Sequence, residues 1–168
     1  MQKLTAPIPT SLQQPPALTA LEAMPADLRL LLGWRRLFAL ALDSVIAAAP
    51  EAIRASERTP ILLTLTTYCY AANMLASDDI ESACRSYGDV AYITNGEAIP
   101  ATELRQFRRS HRLLIEACLQ RLFGSALEQS LQNLPADSED ANSATTAIHE
   151  FAQRRLNLAI LFDTALSE

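Results

Sequence analysis

The chain has 168 residues, 49% of them hydrophobic and 20% charged, with only four glycines. That balance excludes a disordered or collagen-like polymer and suits a domain with a packed core. The net charge of −5 argues against a protein that coats nucleic acid non-specifically. The charge is segregated, however. Residues 101–121 hold five arginines and two glutamates, a net +3, so the rest of the chain carries −8.

Alanine and leucine dominate, and strand-like Val/Ile/Thr alternation is scarce, so an all-α fold of about seven helices is expected. Residues 1–16, MQKLTAPIPTSLQQPP, contain four prolines and read as an extended arm or tail. Residues 17–168 read as one all-α domain. Pro25 is placed to begin a helix that runs to Pro50. In it Leu28, Leu31, Leu32, Phe38, Leu42, Val45, Ile46 and Ala49 form one apolar face. A short helix over 51–56 follows.

Thr59-Pro60 opens a strongly apolar helix to about Ala76. Its apolar run is interrupted by Thr and Asn and falls short of the roughly 18 apolar residues a spanning helix needs, so a core helix and no membrane contact are expected. Ser77 reads as an N-cap, with Asp78, Asp79 and Glu81 in the first turn, where the helix dipole favours acids. The same position explains these acids without a metal, and no cofactor is expected. A brief helix or turn over 89–94, a turn at Asn95-Gly96 and a helix starting at Pro100 or Thr102 come next.

That last helix carries the densest basic cluster. Leu104, Phe107 and His111 share one side, while Arg105, Arg109 and Arg112 share another and Arg108 lies between. The spacing predicts an anchored helix with guanidiniums fanned outward. After a turn, such a helix resembles the second element of a helix-turn-helix, whose arginines contact phosphates or guanine edges. The same arginines also fit a solvated face paired with Asp78, Asp79 and Glu81.

An apolar helix continues over 111–134, with Ile115, Leu119, Leu122 and Ala126 in one stripe. An acidic linker spans 136–144. A final helix runs over about 144–166, with Ile148, Phe151, Ala152, Ala159, Phe162 and Leu166 facing inward. Cys69, Cys84 and Cys118 show no paired spacing and read as buried free thiols, which with no apolar leader after Lys3 suggests a cytoplasmic protein. No Ser/His/Asp or Cys/His set can be nominated, so no enzyme is expected.

Residues 62–111 resemble the N-terminal helical domain of bacterial insertion-sequence DDE transposases. A leucine-rich helix leads to Ser77-Asp78-Asp79-Ile80-Glu81-Ser82-Ala83-Cys84, then to Val90-Ala91-Tyr92 and Gly96, then to Pro100. Phe107-Arg108-Arg109-Ser110-His111 then ends the arginine helix. The order and spacing hold over about fifty residues. The segment Ala101-Thr102-Glu103 is about one residue shorter than the family's and lacks its Asp. Ile93-Thr94 stand where a Trp is usual. No counterpart of the family's RNase H-like domain, which holds two Mg²⁺ ions, is visible. The resemblance therefore implies a DNA-binding module without catalysis. Thr102, Arg105, Arg108, Arg109 and Arg112 would contact double-stranded DNA, terminal inverted repeats included. The alternative is a protein-interaction or homodimer module built on the apolar helices 60–76 and 111–134.

Overall fold

A computed structural model describes residues 16–86, 88–131 and 141–165. Most of the expected arm, most of the linker, Tyr87 and Leu166 lie outside the described residues. Among those described, the chain is all-helical with no strand. The elements are α1 (Pro16–Ala23), α2 (Arg29–Leu32), α3 (Trp34–Ala48), α4 (Pro50–Ala55), α5 (Arg58–Ala71), α6 (Ser77–Arg85), α7 (Asp89–Ile93), α8 (Ala101–Ser110), α9 (Arg112–Leu131) and α10 (Ala141–Ala165).

The count exceeds seven for local reasons. Gly33 adopts φ +75°, a left-handed conformation that glycine takes at little cost, and this splits the helix expected over 25–49 into α2 and α3. The chain before Pro25 adds α1, whose Leu21 is fully buried beside Leu127 and Ala147. α3 is also rotated from its expected face. Leu37, Ala41, Ser44 and Val45 are buried, whereas Leu42 and Ile46 are exposed.

α5 is the central rod. Every residue from Leu62 to Ala71 is buried, so this helix touches protein on all sides. Its threonines are tolerated because a hydroxyl can return to the helix backbone: Thr66 Oγ1 donates to the Leu62 carbonyl at 2.8 Å. α5 stops at Ala71 rather than near Ala76. Asn73 takes φ 60°, and the Met74 amide donates to the Cys69 carbonyl at 2.8 Å, a helix-terminating pattern usually made by glycine. One buried cluster joins Leu28, Leu63, Tyr68, Leu104, Ile115, Phe123 and Leu156, and so reaches from α2 to α10. The three cysteines are buried free thiols, as expected.

Between α7 and α8 the chain reverses at Asn95 (φ 54°) and Gly96 (φ 75°), and the Gly96 amide closes onto the Ala91 carbonyl at 2.7 Å. Ile99, fully buried, then anchors the extended lead into α8.

Candidate nucleic-acid interface

α8 has two faces of different chemistry. Its inner face buries Ala101, Leu104, Phe107 and Arg108. Its N-terminus is held by α6, because Glu81 accepts a hydrogen bond from the Ala101 amide at 2.8 Å. That bond holds the Glu81 carboxyl below its ordinary range.

Arg108 is the main departure from the expected outward fan. Its side chain is buried. It donates to Tyr70 Oη at 3.1 Å, to the Ala159 carbonyl at 3.3 Å and to Asp163, with which it forms a salt bridge. Asp163 comes from α10 and is itself buried. Its carboxylate also accepts from the Ser77 amide at 2.8 Å and from Ser77 Oγ at 2.7 Å. Ser77 is therefore not the N-cap of α6. It is the first helical residue, and the remote carboxylate of Asp163 satisfies its free amide.

One side chain thus fixes the start of α6 and the middle of α8 together. Burial works to raise the Asp163 carboxyl, but the hydrogen bonds from Ser77 and the Arg108 charge outweigh it and hold it below the ordinary aspartate value. Tyr70 moves the other way, and burial pushes its hydroxyl up to about 12 despite the nearby Arg108.

The other arginines divide. Arg105 is mostly covered; it pairs with Asp78, and its Nε lies 3.6 Å from Asp163. The expected pairing with acids of α6 therefore holds for Arg105 through Asp78, and Glu81 engages the α8 backbone instead. Arg109 is exposed and makes no ion pair or hydrogen bond among the described residues. Arg112 is exposed and donates to Asn157 Oδ1 at 2.8 Å. Thr102 and Gln106 are exposed on the same side as Arg109, at spacings of four and three. His111 ends α8, stacks on Phe107 with ring centroids 4.3 Å apart, and separates α8 from α9. The outward set is therefore Thr102, Gln106, Arg109 and Arg112.

Two further clusters hold the turn and α7 and were not foreseen. Arg58, at the start of α5, donates to Glu97 at 2.6 Å and to both oxygens of Glu103 at 2.9 and 3.0 Å. Arg29 of α2 binds Asp27 and reaches Asp89 of α7 at 3.0 Å, and Asp89 also accepts the hydroxyl of the buried Tyr68. Apart from the neighbouring Asp27 and Arg29, no local sequence signal marks either cluster, because the other partners lie 21 to 60 residues apart.

Among the described residues, no group of three or more His, Cys, Asp or Glu side chains is placed to hold a metal ion. No helix among them is long and apolar enough to cross a membrane. No family model, curated protein or solved structure matches the chain.

Proposed function

We propose that the chain is a non-catalytic, transposase-related module that grips duplex DNA with the outer face of α8 and the start of α9. The observation that carries this reading is the division of α8. Its inner face is clamped by Asp163, while Thr102, Gln106 and Arg109, which pairs with no acid among the described residues, are exposed on the outer one. α7, the Asn95-Gly96 turn and α8 would then serve as the helix-turn-helix-like unit. Arg109 and Arg112 supply phosphate contacts and Thr102 a backbone contact. Arg105 and Arg108 act through position, by seating the helix against α6 and α10.

Fluorescence anisotropy with a labelled duplex across a salt series tests this. Affinity should fall steeply with salt, because bound arginines release counterions. The double substitution Arg109→Ala/Arg112→Ala should weaken binding about tenfold or more at low salt and reduce the salt slope by about 2. Absence of binding to any duplex at low salt, inverted repeats included, would remove the reading.

A second reading, a homodimer or protein-interaction module, is favoured by a different observation. α5 buries every residue from Leu62 to Ala71, so the middle of helix 60–76 offers no contact face. α10 instead leaves Leu158, Leu161 and Phe162 exposed by 38, 62 and 48% on adjoining positions, which corrects the inward placement of Phe162. This reading expects light scattering to give twice the 18.4 kDa chain mass, with Leu161→Asp restoring the monomer. A monomer at micromolar concentration in the unsubstituted protein would refute it.

A further inference from the structure

On α7, one turn before the Asn95-Gly96 reversal, Tyr92 is 65% exposed and yet firmly seated. Its ring meets Trp34 edge-on at 5.6 Å and Phe38 edge-on at 5.9 Å. These geometries hold a ring in place without covering it. The break at Gly33 makes Trp34 the first residue of α3 and brings it to α7. Arg35, exposed and without an ion pair among the described residues, lies with its guanidinium 5.3 Å from the Trp34 ring. The acid of α7 does not oppose it, because Asp89 is bound to Tyr68 and Arg29.

We propose that Tyr92, Trp34 and Arg35 form a stacking platform for an unpaired DNA base. A preordered exposed aromatic with a guanidinium beside it that no acid among the described residues neutralises is the pairing that single strands use: the ring takes the face of a base, and the arginine takes the phosphate. Stacking needs no particular sequence. The platform would favour DNA with a frayed or overhanging end over a blunt duplex. It rests on the reading of the chain as a DNA-binding module, but its chemistry is separate from that of α8.

Trp34 is the only tryptophan in the chain, so its fluorescence reports on this platform alone. Titrating the full chain with a short oligo(dT) should quench Trp34 emission. Tyr92→Ala should weaken the apparent affinity about tenfold or more, and Tyr92→Phe should retain it, since stacking needs the ring and not the hydroxyl. Arg35→Ala should weaken it and flatten its salt dependence. Blunt-duplex anisotropy should be unchanged in Tyr92→Ala. No quenching by oligo(dT), equal quenching in Tyr92→Ala, or equal quenching by poly-glutamate would overturn the proposal. Oligo(dT) quenching that depends on Tyr92, in a protein that fails to bind blunt duplex, would sustain the platform and remove only the α8 reading.

Discussion

Replacing Asp163 by alanine is expected to lower the unfolding free energy by about 3–5 kcal/mol, a large part of the roughly 5–15 kcal/mol that holds a domain of this size together. The cause is what the substitution leaves behind. Arg108 is buried and would keep its charge without a partner, and the buried Ser77 amide and hydroxyl would lose their acceptor. Urea denaturation measures the loss. The double variant Arg108→Met/Asp163→Leu is the informative control. It removes both charges and fills the space with apolar atoms, so it should recover a good part of the deficit. If the single and double variants lose equal stability, the salt bridge is not the source of the effect.

The same pair predicts acid sensitivity. Asp163 has a folded-state pKa below its unfolded value, so its contribution is complete above the ordinary aspartate value of about 3.9 and is lost as pH falls through the lower folded value. The gap between wild type and Asp163→Ala should therefore narrow below about pH 4. The same carboxylate joins α10 to α6 and α8, so loss of Asp163 also loosens the helix proposed to meet DNA.

Much of this arrangement was legible in the sequence, and two of the exceptions share a cause. Leu104 and Phe107 fall at helical spacing and are buried, the Asn95-Gly96 turn lies where expected, and α5 is the core helix its composition implies. Local pattern fixes period and punctuation. It failed where a distant partner changes what a residue type means. Arginine is ordinarily a surface residue, and only Asp163, 55 positions later, makes Arg108 an interior one. Ser77 has the composition of a cap, yet it is itself bound by a carboxylate 86 residues away. Asn73 ends α5 by a left-handed backbone that glycine would have announced. On α3 the apolar residues outnumber one face, so period alone could not choose between Leu37 and Leu42 for the core.

Removing the carboxylate of Asp89 should have a different and more local signature. Tyr68 is fully buried and its hydroxyl donates to Asp89, while Arg29 bridges Asp89 and Asp27. Asp89→Ala leaves a buried hydroxyl without an acceptor and half-empties the grip of Arg29, at a cost of about 2–3 kcal/mol. Tyr68→Phe removes the donor instead, leaving Asp89 with Arg29 and solvent, and should cost only about 1 kcal/mol. The asymmetry follows from burial and from what remains: the orphaned Tyr68 hydroxyl is fully buried, whereas Asp89 is about one-fifth exposed and keeps Arg29. Because Asp89 is the first residue of α7, the loss should concentrate there. Hydrogen exchange should quicken at the amides of residues 90–96 while the amides of α9 keep their protection. Uniform loss of protection across α5, α7 and α9 would mean that Asp89 supports the whole core and does not specifically hold the helix carrying Tyr92.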